Sequence, residues 1–203
     1  MNRSRTNFDM PAEHVYRITP YWLLGFVEGD GSFFIRKKNY QLCFAIVQHY
    51  KNSELMHKIA DFLYDLPVTD KQTIQKTSIR ISESYSSTAL PSESSTLSGN
   101  SSKNPFTYLV IDHSDLIKFV IITFFSSMTW RSKKLLDFED FFWVFKLKEQ
   151  GHQYTQKGKI LINSFIGQMN NNRLSTFGSV SSPRVDRDLL ISQAKIILQG
   201  PSN

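Results

Sequence analysis

The sequence predicts an α+β domain in which two antiparallel hairpins alternate with helices in the order αββαββα. Three observations carry that expectation. Apolar residues recur three and four apart in the segments 20–30, 52–66 and 112–126, as on one face of a helix. The segments 32–48, 72–81 and 106–111 instead alternate and favour β-branched and aromatic types, as half-buried strands do. With 203 residues and sixteen phenylalanines, the chain can bury a sizeable core beneath such a sheet.

The first helix enters at Thr19 and Pro20, a threonine N-cap followed by proline at the first helical position. It runs to about Asp30, where Gly31 stops it. Within it Gly25 and Gly29 lie four residues apart, each costing roughly 1 kcal/mol relative to alanine in a helix interior. Small residues at that spacing share a face and leave a groove into which a second helix can pack closely. Glu28 and Asp30 fall at the carboxyl end, where the macrodipole disfavours an acid and a nearby cation would reverse that preference.

Residues 32–48 read as a hairpin turning at Lys37, Lys38 and Asn39. On its first strand Ser32, Phe34, Arg36 and Lys38 share one face, and Phe33 and Ile35 share the face that packs on helices. The second strand has weaker contrast between Leu42, Phe44 and Ile46 on one side and Gln41, Cys43, Ala45 and Val47 on the other. A helix follows over 52–66, capped by Asn52 or Ser53, with Leu55, Met56, Ile59, Phe62 and Leu63 inward and His57 at the surface. Residues 72–81 then read as a strand with Lys76, Ser78 and Arg80 on one face. The exposed cations of these strands can meet phosphates or base edges, or form an ordinary solvated face.

Ten serines between Ser82 and Lys103 mark a low-complexity insertion, taken as 82–104, that lacks the apolar content to order itself. The strand 106–111 returns from it. Residues 112–126 form a helix capped by Asp112 or Ser114, with Leu116, Ile117, Val120, Ile121 and Phe124 buried. A helix over 135–149 ends at Gly151, and another starts at Thr155 and runs through Ile160, Ile162, Phe165, Ile166 and Met169. The domain thus spans 19–175, between an N-terminal extension, 1–18, and a tail, 176–203, with one short helix over 188–198.

Composition narrows the function classes. Cys43 is the single cysteine, so no internal disulfide can form and the chain does not read as a secreted disulfide scaffold. No apolar run reaches the ~18 residues of a membrane span, and the arginines near the N-terminus are not followed by the apolar core of a signal peptide. The net charge of +6 favours polyanionic partners.

Residues 23–31, LLGFVEGDG, resemble the signature of the LAGLIDADG homing endonucleases: small residues stand third and seventh, an acid eighth and glycine ninth. Tyr21 and Trp22 before it and Ser32-Phe33-Phe34 after it extend the likeness, as do KKLLDF at 133–138, GHQYTQKG at 151–158 and MNNNRLS at 169–175. The resemblance implies the αββαββα fold, a four-stranded saddle-shaped sheet packed on helices, and site-specific cleavage of double-stranded DNA. By the same resemblance Asp30 and the backbone carbonyl of Gly29 would hold Mg²⁺ or Mn²⁺, with Gln48 and Lys134 acting through solvent near the scissile phosphate and Lys133 as the fallback for the lysine. Glu28 is expected to be structural. Arg36, Lys38, Gln41, Lys76 and Arg80 would face a DNA target of about 20 base pairs, two helical turns. The motif occurs once, so a homodimer would join through Trp22, Gly25 and Gly29. The family also implies an organellar, typically mitochondrial, location. Three alternatives remain open: an intron maturase that binds group I intron RNA, an inactive half of a two-motif enzyme, and a DNA-binding protein without hydrolysis, which would not need Asp30.

Overall fold

The structure is a computed structural model, and it describes residues 15–67, 78–84, 105–170 and 186–200. Helix α1 (Pro20–Asp30) leads into β1 (Gly31–Arg36) and β2 (Gln41–His49), followed by α2 (Ser53–Asp65). Strands β3 (Ile79–Ser84) and β4 (Phe106–Ile111) complete one antiparallel sheet in the order β1-β2-β4-β3. Helix α3, π-wound over Leu116–Ile122 and α-helical over Thr123–Ser126, precedes α4 (Lys134–Glu149), α5 (Gln156–Ile166) and α6 (Arg187–Gln199). The expected α+β class and element order are thus present.

Local chemistry explains the boundaries. The Thr19 side chain accepts from the Trp22 backbone N–H at 3.2 Å, satisfying one of the orphan donors of the first turn. Gly31 ends α1 through close approach, since a Cβ there would lie 2.6 Å from Cγ1 of Val27 and 2.8 Å from its carbonyl oxygen. Gly151 follows α4 with φ of 78°, the left-handed conformation that glycine adopts without a Cβ clash. Thr155 caps α5 by accepting from the Gly158 N–H at 3.0 Å.

Phe33 is the hub of the core. Its ring stands 5.2 to 5.5 Å from those of Phe44, Phe125, Phe138 and Phe141, and 6.0 Å from that of Trp130. These contacts fasten α3 and α4 to the inner face of the sheet, each aromatic pair contributing about 0.5–1.5 kcal/mol beyond burial.

Several expected details differ. Phe125, not Phe124, is fully buried on α3, because the i→i+5 hydrogen bonding of the π turns rotates the register relative to a 3.6-residue helix. On α5 Leu161 is buried and Ile160 is exposed. Asn52 does not cap α2 with its side chain, which donates instead to Gln48. Strand β3 includes Ser82, Glu83 and Ser84 from the expected insertion, and the rest of that insertion, 85–104, lies outside the described residues together with Lys76. Helix α6 packs on α4 and α5, burying Leu190 and Ala194 while Arg187 pairs with Glu139 at 2.7 Å and the buried Asp140 at 3.1 Å.

Candidate nuclease site and nucleic-acid face

Helix α1 has two unlike faces. Leu23, Leu24 and Val27 are buried in the core. Opposite them Tyr21, Trp22, Gly25 and Gly29 are exposed, and a Cβ at either glycine would meet nothing within 4 Å. Trp22 stacks on Phe26 with ring centroids 5.0 Å apart, which flattens this face further. The open stripe ends at Asp30, whose carboxylate is exposed at the carboxyl terminus of the helix.

Register places Gln48 at the same end of the sheet as Asp30. Ile46 pairs with Gly31, so Gln48 lies two residues past the first residue of β1, where its Oε1 accepts from Nδ2 of Asn52 at 3.1 Å. That bond leaves the Gln48 amide nitrogen as the donor end of a fixed side chain. Lys134 opens α4, and its N–H donates to Oγ of Ser132 at 3.3 Å. The loop before it is tied to α1 by Glu28, whose Oε1 accepts from the backbone N–H groups of Arg131 at 2.5 Å and Ser132 at 2.7 Å. Burial pushes the Glu28 carboxyl up, but these two donors outweigh it and hold the group below the ordinary glutamate range. Glu28 therefore does structural work, as expected, and brings the Lys133–Lys134 segment to the Asp30 end of α1.

The donor set at the end of α1 fits a hard divalent ion of limited protein coordination. Among the described residues no three His, Cys, Asp or Glu side chains cluster to form a protein cage. An exposed carboxylate beside the last carbonyls of a helix, which have no intrahelical donor, suits Mg²⁺ that keeps most of its shell as water and phosphate oxygens.

The outer face of the sheet carries Ser32, Phe34 and Arg36 of β1 and Gln41, Cys43, Ala45 and Val47 of β2, as the side-chain alternation requires. Arg36 and Gln41 face each other across the strands, and Nη1 of Arg36 donates to Oε1 of Gln41 at 2.9 Å. Arg80 lies on the same face, and Lys38 is exposed in the hairpin turn rather than on the strand. Asp112, one residue past β4, binds both arginines, whereas the sequence offers it only as a helix cap. Its Oδ2 accepts from Nη1 of Arg36 at 2.8 Å and from Nη2 of Arg80 at 2.6 Å. The Arg80 hydrogen bond foremost, with that of Arg36, holds the Asp112 carboxyl below its ordinary value against the opposing effect of burial. Cys43 is buried beside this cluster, and desolvation pushes its thiol up to about 11.

Comparison with known proteins agrees with the fold. Residues 23–93 match the family model described as LAGLIDADG endonuclease. A yeast protein, "Uncharacterized mitochondrial protein RF1" of Saccharomyces cerevisiae, is 24% identical over 170 residues, covering 84% of this chain and 34% of that protein. Among solved structures, the meganuclease I-SmaMI bound to uncleavable DNA is 24% identical with a TM-score of 0.56, covering 78% of this chain and 47% of its own. The I-LtrWI LAGLIDADG homing endonuclease bound to target DNA is 22% identical with a TM-score of 0.57, covering 81% and 48%. The homing endonuclease I-TnaI is 19% identical with a TM-score of 0.51, covering 90% and 99%. The chain thus spans about a third of the yeast relative and about half of I-SmaMI and I-LtrWI. Residues 23–93 thus resemble the LAGLIDADG endonuclease family, and the chain shares its fold with the solved LAGLIDADG homing endonucleases.

Proposed function

We propose that this domain is a site-specific double-strand DNA endonuclease of the homing type, working as a homodimer with one Asp30 directed at each DNA strand. The observation that supports it most is the open stripe Trp22, Gly25 and Gly29 on α1, which ends at an exposed carboxylate. Two copies packed along that stripe would bring two Asp30 side chains to the dimer centre, each beside the Gly29 carbonyl of its own chain.

Asp30 and the Gly29 carbonyl would hold Mg²⁺ or Mn²⁺. When bound, the ion would supply water activation and charge stabilisation at the leaving 3′ oxygen. Lys134 would add positive charge near the scissile phosphate, and its segment is held against α1 by Glu28. Gln48, braced by Asn52, would orient solvent through its amide nitrogen. Arg36, Lys38, Gln41 and Arg80 would lie along the major groove, whose width admits a two-stranded ribbon. Lys76 would join them from outside the described residues. Affinity should then fall steeply with added salt. The name of the yeast relative supports a mitochondrial location.

A second reading has its own support. I-SmaMI and I-LtrWI are each about twice as long as the region matched here, so this domain would correspond to one half of a two-motif protein. Sedimentation distinguishes the two: a dimer on DNA supports the first, and a strict monomer on DNA contradicts it. Incubation of the purified chain and Mg²⁺ with a duplex that it has selected from a randomised pool should yield a double-strand break. Binding without a cut would instead favour a maturase or a plain DNA-binding protein.

A further inference from the structure

The outer sheet face holds a cluster that the cleavage chemistry does not use. Arg36 and Arg80 stand on strands at opposite edges of the sheet, yet both reach one oxygen of Asp112, at 2.8 and 2.6 Å. Gln41 closes the arrangement. Its Oε1 accepts from Arg36 at 2.9 Å, and its Nε2 donates to the Asp112 backbone carbonyl at 3.3 Å. We infer that Asp112 is a positioning residue for base recognition, which holds Arg36 and Arg80 as a paired reader of guanine edges in the major groove of duplex DNA. The inference rests on the DNA-binding reading above.

Exposure supports that division of labour. The Asp112 side chain is 7% exposed, against 44% for Arg36 and 54% for Arg80, so the guanidinium groups cover the carboxylate and present themselves outward. Two guanidinium groups against one carboxylate leave net positive charge, and the acid is screened from an approaching phosphate. Each guanidinium carries five donors in a rigid fork, of which Asp112 engages one nitrogen per arginine. The rest of the fork matches the paired acceptors O6 and N7 of guanine. Phosphate contact alone would not need such a brace, because mobile cations suffice for it, and Lys37 and Lys38 are exposed in the adjoining turn. An arginine immobilised beforehand loses less freedom on binding, which favours geometric selection over general attraction.

The register also locates the reading. Arg80 is level with Ser32, which follows Gly31, and Arg36 stands at the far end of β1. At about 3.3 Å per residue, the backbone positions of Arg80 and Arg36 lie roughly 3 and 17 Å along the sheet from Gly31 at the Asp30 end. With the ribbon following the groove, that span corresponds to about one to five base pairs from the cut, at 3.4 Å per step.

The test is selection and sequencing from a randomised double-stranded oligonucleotide pool, using the full chain and the Asp112→Asn variant, with circular dichroism to check folding. The wild type should enrich guanine at adjacent positions away from the cut. Asp112→Asn should lose discrimination there by roughly tenfold, with the remainder of the profile unchanged. Should that variant fail to fold, Arg36→Lys and Arg80→Lys preserve charge but lack the fork, and each should flatten the same positions. An unchanged profile in folded variants, or uniform loss at every position, overturns this inference while the DNA reading stands. A wild type with no sequence preference, or one that prefers a matched pool of structured RNA, overturns both.

Discussion

Glu28 and Ser132, 104 residues apart in sequence, are joined by a 2.7 Å hydrogen bond from the Ser132 backbone N–H to the Glu28 carboxylate. The Arg131 N–H reaches the same oxygen at 2.5 Å, so one acid in α1 fixes the strap that leads into α4. Glu28→Ala should leave both donors to water and destabilise the fold by about 1.5 kcal/mol, the low end of the range for hydrogen bonds to a charged group because both bonds are exposed. Because the strap delivers Lys133 and Lys134, cleavage should decline more than binding. Thermal unfolding together with single-turnover cleavage checks both effects.

Glycine substitutions on α1 should separate folding from self-association. A Cβ at Gly25 or Gly29 meets nothing within 4 Å, so Gly25→Ala and Gly29→Ala should stabilise the isolated chain by up to about 1 kcal/mol through helix propensity. Gly25→Leu should still fold but block close packing of two α1 helices, which sedimentation would register as a monomer. Gly31→Ala behaves oppositely: its Cβ would meet Cγ1 of Val27 at 2.6 Å, so the monomer itself should lose stability.

The acid limb of stability should depend on Asp112. Its carboxyl is held below the ordinary value by Arg80 and Arg36, so the folded state binds its proton less readily than the unfolded chain. The resulting stabilisation is fully present above the unfolded value of about 4 and is lost as pH falls through the lower folded value. Glu28 shifts in the same direction through its backbone donors, as does Glu149 through Lys118 despite burial, so their contributions fall in the same window. Denaturant unfolding between pH 6 and pH 2 (roughly the span that brackets this titration) should show a shallower acid decline in Asp112→Asn than in the wild type.

Much of this was legible in local sequence. Thr19 with Pro20, Gly151 and Thr155 each mark a helix end by short-range chemistry, and the alternation of Phe33 with Phe34 fixes which face of β1 is buried. The Asp112 cluster was not legible, because it depends on the pairing of β2 with β4 and β3 with β4, which sets long-range neighbours that no local pattern encodes. Asp112 read as a helix cap for the same reason, since an acid before an apolar stripe has that local meaning. The burial of Phe125 required the π winding of α3, to which a 3.6-residue period is blind. Asn52 likewise read as a cap, but its side chain serves Gln48 across the turn between β2 and α2.

Asp30 as the metal-ligating carboxylate can be tested against its amide. The wild type and Asp30→Asn are incubated with the duplex selected by the wild type, and binding and strand scission are measured on the same samples with Mg²⁺ and with EDTA. The wild type should cut both strands only with Mg²⁺, while Asp30→Asn should bind within a few-fold of wild-type affinity and lower the cleavage rate by at least ~10³-fold, as loss of a metal-ligating carboxylate should. Scission by Asp30→Asn at the wild-type rate, or scission in EDTA, would contradict that role for Asp30.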